Sequence, residues 1–249
     1  MTRLKDKVAI VTGAASGFGE GIARRFAQEG AKLVVADLNV KGAERVAADI
    51  GNAAIGIKTD VSRKDDVEAM VAAAMQTFGR VDIMVNNAGF THANGDMLEV
   101  PEETFDLITG VNMKAVYYAA LAVVPIMERQ GGGSIITTSS TAAMRPRPGL
   151  TWYNASKGWT ITATKSMALE LASKQIRVNC ICPVAGDTAM LPRFLGTDTP
   201  ELREEFRASI PLGRFSTPLD IANAALWLAS DEASFVTGVA LEVDGGSSI

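Results

Sequence analysis

The stretch Tyr153-Asn154-Ala155-Ser156-Lys157 places a phenol and an ammonium at positions i and i+4, with Ser140 upstream of both. On a helix such positions share a face. A phenol with an ordinary pKa near 10 is a poor base at neutral pH, and a cation fixed beside it favours the phenolate. Bringing that pKa down to about 7 takes roughly 4 kcal/mol, much of which a close ammonium in a partly dry site can supply. The expected product is a proton shuttle for alcohol–carbonyl interconversion. Taken alone, Tyr and Lys at this spacing are an ordinary surface pair on many helices, so the meaning depends on what positions them.

Short apolar runs alternate with helical patterns from end to end. The strand-like runs are Val8–Val11, Lys32–Ala36, Ala54–Lys58, Ile83–Asn86, Ser134–Thr138, Arg177–Ile181 and Ala240–Val243. Several are rich in Val and Ile and apolar on both faces, as strands of a covered parallel sheet should be. Helix patterns fall at Gly17–Gln28, stopped by Gly30, and at Arg63–Phe78, stopped by Gly79 and capped by Ser62 with Asp65 three residues on. Two more run over Glu102–Gln130, with a kink or break expected at Pro125, and over Trp152–Ser173, which carries the Tyr/Lys pair. This alternation predicts an α/β fold with right-handed crossovers: a doubly wound parallel sheet of about seven strands in one domain spanning 1–249.

The first run leads into Thr12-Gly13-Ala14-Ala15-Ser16-Gly17-Phe18-Gly19, followed by a helix. Glycines there permit a tight turn and a close backbone approach to a pyrophosphate, which the helix N-terminus then attracts. Asp37, with Leu38 beside it, closes the second strand about twenty residues after Gly17, where an acid accepts hydrogen bonds from an adenosine ribose. A carboxylate there repels a 2′-phosphate, and Ser16 adds no basic charge, so the expected cofactor is NAD in preference to NADP. Asp60 and Val61 end the third strand, on the adenine side.

Apolar residues make up 47% of the chain and charged ones 21%, in keeping with a globular protein. A net charge of −4, with no basic cluster interleaved with aromatics, speaks against a nucleic-acid surface. The apolar run around Val116–Met127 contains Pro125 and is short of the roughly 20 residues that cross a bilayer. No signal-peptide pattern is evident, and the expectation is a cytoplasmic protein. Cys180 and Cys182 are read as buried free thiols; with His92 as the single histidine, no metal site is expected.

Together these segments resemble the short-chain dehydrogenase/reductase family, in its single-domain branch with Tyr-x-x-x-Lys. The resemblance rests on Thr12–Gly19, Asp60, Asn86-Asn87-Ala88-Gly89, Asn112, Ser140, Tyr153 with Lys157, and Pro183 with Thr188. It implies Tyr153 as general acid/base and Lys157 as the group that lowers its pKa and holds the nicotinamide ribose. Ser140 would polarise the substrate carbonyl, and Asn112 would hold a water linking Lys157 to solvent. Gly13, Ser16, Gly17, Phe18 and Gly19 would take the diphosphate, and Asn87, Ala88 and Gly89 the adenosine side. Pro183, Val184, Ala185, Gly186 and Thr188 would bind the carboxamide. The family commonly carries Pro-Gly where this chain has Pro183-Val184. A β-branched residue resists φ > 0, so the backbone is expected to shift, with Gly186 taking the special conformation.

The resemblance also implies a substrate lid over 188–210, although Met190, Leu191, Phe194 and Leu195 equally fit a small satellite helix packed on the body. His92, Arg145 and Trp152 are placed near the mouth of the site, which would suit a polar or anionic substrate such as a hydroxy acid or acyl thioester. Arg145 and Arg147, alternating with Pro146 and Pro148, also read as an exposed loop. A homotetramer is implied by resemblance. The resulting expectation is hydride transfer between NAD(H) and a secondary alcohol or ketone. The alternatives are a 3-oxoacyl-thioester reductase or, from a different class, a non-catalytic dinucleotide-binding sensor or scaffold.

Overall fold

In the computed structural model, which describes residues 2–186, 188 and 190–249, seven parallel strands form one sheet in the order β3-β2-β1-β4-β5-β6-β7. They are β1 (Val8–Thr12), β2 (Lys32–Asp37), β3 (Ala54–Lys58), β4 (Ile83–Asn86), β5 (Gly133–Thr138), β6 (Ile176–Pro183) and β7 (Ala240–Val243). The fold is the Rossmann-like α/β architecture expected, and each expected strand is present within a residue or two at its ends.

Alternate side chains along each strand feed two cores, as a period of two requires. Ala9, Val11, Leu33 and Val35 face one layer with α1 (Gly17–Gln28), α2 (Val40–Ile50) and α9 (Pro218–Ala229). Ile10, Val34, Met84 and Ile135 face the other, with α3 (Lys64–Phe78), α5 (Ala115–Gln130) and α6 (Thr151–Leu171). The strand order reverses between β1 and β4, so the crevice above the carboxyl ends of these strands is where an open α/β sheet binds its ligand.

Three local expectations are corrected. Helix α3 begins after Arg63, with no side-chain cap, so Ser62 is not its N-cap; the Ser62 hydroxyl instead bonds Asp60 at 2.6 Å. The helix over 102–130 passes through Pro125 without a break. Its irregularity lies earlier, as a π-helical turn at Gly110–Lys114 between α4 (Glu102–Thr109) and α5. By length and composition this continuous helix is long and apolar enough to cross a membrane, which the apolar run alone is not. Here it packs on α3, β4 and β5, burying Val116, Ala119, Val123 and Met127. Finally, Gly186 is not among the positive-φ glycines. Ser216 holds this segment extended: its Oγ donates to the Val184 carbonyl at 3.2 Å and its N–H to the Ala185 carbonyl at 3.4 Å. Gly186 is needed for space, since a Cβ there would lie 2.5 Å from the Phe18 ring.

Candidate active site

A cavity of about 580 Å³ opens above the carboxyl ends of the strands. Its lining runs from Gly13, Ser16, Gly17 and Phe18, past Asp37, Leu38, Asp60 and Val61, to Ser140, Tyr153 and Lys157. Asn87, Ala88, Gly89, Pro183, Val184, Ala185, Gly186 and Thr188 line it too. Asp187 and Ala189, which fall within the expected carboxamide-binding and lid segments, lie outside the described residues.

At the glycine end, Gly13 and Gly17 both hold positive φ, and a Cβ on Gly19 would run into the Gly13 carbonyl. Ser16 precedes α1 in extended conformation with its hydroxyl not used as a cap, and it lines the cavity together with Gly17 and Phe18 of the helix N-terminus. Asn87 ties this loop down. Its Nδ2 donates to the Thr12 and Gly13 carbonyls at 2.9 and 3.2 Å, and its Oδ1 accepts from Thr138 Oγ1 at 3.3 Å. The Asp37 carboxylate accepts from the backbone N–H groups of Ala15 and Asn39, which fixes it beside the loop.

At the other end α6 carries Tyr153 and Lys157 on one buried face, as the i, i+4 spacing requires. Lys157 Nζ donates to the Thr138 carbonyl at 2.8 Å and lies 5.7 Å from the centre of the Tyr153 ring. Burial pushes the Lys157 ammonium down to about 8. Burial also pushes the Tyr153 phenol up to about 12, and the nearby Ser140 hydroxyl acts the other way. The expected lowering by Lys157 is thus not seen in the protein alone, because the ammonium is turned to the strand.

Asn112 sits buried in the π-helical turn, where the widened backbone aims its amide back at the β4 loop. Nδ2 donates to the Phe90 carbonyl and to Ser156 Oγ, both at 2.9 Å, and Oδ1 accepts from the Phe90 N–H at 2.9 Å. A Cβ on Gly89 would lie 3.6 Å from Lys157 Nζ and 3.8 Å from Asn112 Oδ1, so the bare glycine leaves a polar gap between the two.

The substrate side differs from the expectation. His92 is buried outside the cavity lining, with Nδ1 on the Ala93 carbonyl at 2.8 Å. Trp152 is also outside it, its indole N–H on the Met97 carbonyl and its ring edge-on to Phe105. Arg145 borders the cavity, but its guanidinium donates to the Ser247 and Ile249 carbonyls. The wall is made instead by Asn94, Arg147 and Leu150, which sequence reasoning did not select, and by Phe194, Leu195 and Phe206 from the segment expected as a lid. Phe194 and Leu195 come from α7 (Leu191–Leu195) and Phe206 from α8 (Pro200–Ala208); Phe194 meets the Tyr153 ring edge-on at 5.2 Å.

The family model described as enoyl-(acyl carrier protein) reductase matches residues 13–248. A curated relative from Bos taurus, dehydrogenase/reductase SDR family member 4, is 40% identical over 98% of this chain and 88% of its own. The chain belongs to the short-chain dehydrogenase/reductase family. Within that family it is also 49% identical, over 99% of both chains, to 4-formylbenzenesulfonate dehydrogenase of Comamonas testosteroni. Among solved structures, a 3-ketoacyl-(acyl-carrier-protein) reductase of Brucella melitensis complexed with NADH superposes with a TM-score of 0.95. That protein is 49% identical over 99% of this chain and 100% of its own. The protein is therefore an oxidoreductase of the short-chain dehydrogenase/reductase type.

Proposed function

We propose that the protein interconverts an alcohol and its carbonyl compound with NAD(H), using Tyr153 as general acid/base. The observation that carries this is the joint burial of Tyr153 and Lys157, with Ser140 beside them, at one wall of a cavity whose other end is a glycine loop at a helix N-terminus. That loop fits a dinucleotide: Ser16 Oγ and the first N–H groups of α1 suit a diphosphate, and Asp37 suits ribose hydroxyls.

A bound nicotinamide supplies the hydride acceptor or donor. The protein's part is the proton. In oxidation, Tyr153 as phenolate takes the hydroxyl proton while the substrate carbon loses its hydrogen with both electrons; reduction reverses both transfers. Ser140 holds the substrate oxygen. Lys157, with Asn112 across the gap at Gly89, gives the proton a way towards solvent.

For NAD over NADP the support is electrostatic. The charged described residues lining the cavity are Asp37, Asp60, Arg145, Arg147 and Lys157, and the two at the adenosine end are acids. A secondary alcohol or ketone is the substrate class favoured here; the acyl-thioester alternative draws on the Brucella protein. The segment 188–210 is read as the substrate lid of a single domain. A homotetramer is in keeping with the apolar side chains Tyr117, Leu121, Trp159 and Leu169 left exposed on α5 and α6. A cytoplasmic location suits the two free thiols Cys180 and Cys182.

The test is turnover of purified protein with NAD⁺ and aryl or alkyl secondary alcohols, and with NADH and an acetoacetyl thioester. Alcohol oxidation lost in Tyr153→Phe supports the reading. Thioester reduction alone moves the assignment to the second reading, and NADH binding without any turnover refutes both.

A further inference from the structure

Arg147 is the feature of the cavity that the mechanism does not use. Its guanidinium stacks on the Phe206 ring, 4.2 Å from the centroid, and Phe206 in turn stacks on Phe215 at 5.9 Å with the rings 20° apart. The Arg147 carbonyl accepts from Asn154 Nδ2 at 2.9 Å, which couples the residue to the helix position next to Tyr153. The Phe206 ring gives the guanidinium a resting place at the cavity, and a planar fork of donors is the group best matched to a carboxylate or sulfonate.

Among the described residues nothing compensates its charge. Of the cations lining the cavity among the described residues, Lys157 is spent on the Thr138 carbonyl and Arg145 on the C-terminal carbonyls, while Arg147 has no side-chain hydrogen bond or ion pair. Among the described residues none adds an opposing acid: partial desolvation and the neighbouring Arg145 both act against its charge, although the residue is exposed at the cavity edge. Apart from Asn94, the rest of this wall is apolar, made by Leu150, Phe194, Leu195 and Phe206. A cation so placed gains from an incoming anion, and an apolar wall beside it gains from an aromatic or aliphatic body.

We infer that Arg147 is the specificity residue of the substrate cavity, receiving a sulfonate or carboxylate carried by the substrate while its reacting carbon lies at Tyr153. This rests on the alcohol–carbonyl reading above and narrows its substrate to an anionic, hydrophobic-bodied alcohol or carbonyl compound. The relative named for a formylbenzenesulfonate has such a molecule as its namesake.

The test separates binding from turnover. Benzenesulfonate is titrated into the NADH-loaded wild type and into Arg147→Met, which keeps an unbranched side chain and removes the charge. The expected result is binding to the wild type that weakens about 10- to 100-fold in the variant, the span of a charge-assisted hydrogen bond, with NADH affinity unchanged. Arg147→Lys should recover part of it. In turnover, the para-sulfonate form of phenylethanol should lose kcat/KM through KM in Arg147→Met, and the para-methyl form should not. Equal benzenesulfonate binding by the two proteins, no binding to the wild type, or equal loss on both alcohols would overturn the assignment. Binding that switches with Arg147 while neither alcohol turns over would leave the anion site standing and refute the reaction.

Discussion

Lys157 Nζ lies 5.7 Å from the centre of the Tyr153 ring, yet its hydrogen bond runs to the Thr138 carbonyl and not to the phenol. Burial therefore governs both groups in the protein alone. Lys157, brought down to about 8 from its ordinary 10.5, holds its proton less tightly folded than unfolded. Between those values the unfolded chain binds more protons, so stability rises with pH across that window, and below it the charged ammonium costs stability. Lys157→Met should then abolish turnover and raise Tm at pH 7, by about 2–4 °C for each kcal/mol recovered. The gain should shrink as pH approaches 10.5. Thermal melts at the two pH values decide it, and a variant less stable than wild type at pH 7 would mean that the Thr138 bond outweighs burial.

Tyr153→Phe keeps the ring that Phe194 packs against and removes only the hydroxyl. Tm and NADH affinity should stay near wild type while kcat falls by about 10²- to 10⁴-fold, the usual share of a general acid/base. Oxidation needs the phenolate, so its rate should climb with pH. Ser140→Ala removes the neighbouring hydroxyl that favours the phenolate, and should move that climb to higher pH. A pH–rate profile unchanged in Ser140→Ala would remove Ser140 from this role.

What the sequence disclosed and what it hid follow from the range of the interactions involved. The central strands β1, β2 and β4 were legible because burial on both faces makes them nearly continuous apolar runs, and Tyr153 and Lys157 because a helix repeats every few residues. The turn at Gly110–Lys114 was not: a π-helical turn has no residue signature comparable to a proline, so the irregularity was expected at Pro125 instead. Helices α2 and α9 went unread, although Thr217 and Asp220 form a capping box at the start of α9. Arg147 was legible only as a charge in a Pro-rich loop. What makes it part of the cavity is Phe206, from a helix far along the chain, and no local pattern announces that contact. His92 misled for the converse reason, since nearness in sequence to Asn86–Gly89 did not place its ring in the cavity.

Asp37 should decide between the two dinucleotides. Its carboxylate lines the cavity and is oriented by the N–H groups of Ala15 and Asn39. Asp37→Ser removes a charge-assisted acceptor for ribose hydroxyls, so kcat/KM with NADH should fall about 10- to 100-fold. With NADPH it should rise, because the repulsion of the 2′-phosphate goes too. A variant that loses both cofactors equally would show that Asp37 serves mainly to hold the glycine loop.

Gly17 and Gly19 stand two residues apart in that loop and should fail in different ways. Gly17 has φ +57 but room for a Cβ, which would make an ordinary contact with Thr188 Cγ2 at 3.6 Å. Gly17→Ala should cost about 1–2 kcal/mol of left-handed strain and little else. Gly19 has no such strain, since its φ is ordinary, but a Cβ there would meet the Gly13 carbonyl and lie 2.5 Å from Asn87 Nδ2. Neither can retreat cheaply. The Gly13 carbonyl belongs to the turn that would face the diphosphate, and Asn87 links that turn to β5 through Thr138. Gly19→Ala should therefore lower Tm further than Gly17→Ala and weaken NADH binding by at least about tenfold, the equivalent of 1.4 kcal/mol. Fluorescence titration of NADH together with melts of both variants checks this. Undiminished NADH affinity in Gly19→Ala would mean that the loop can shift without loss, and that the close approach at Gly19 is not what shapes the dinucleotide site.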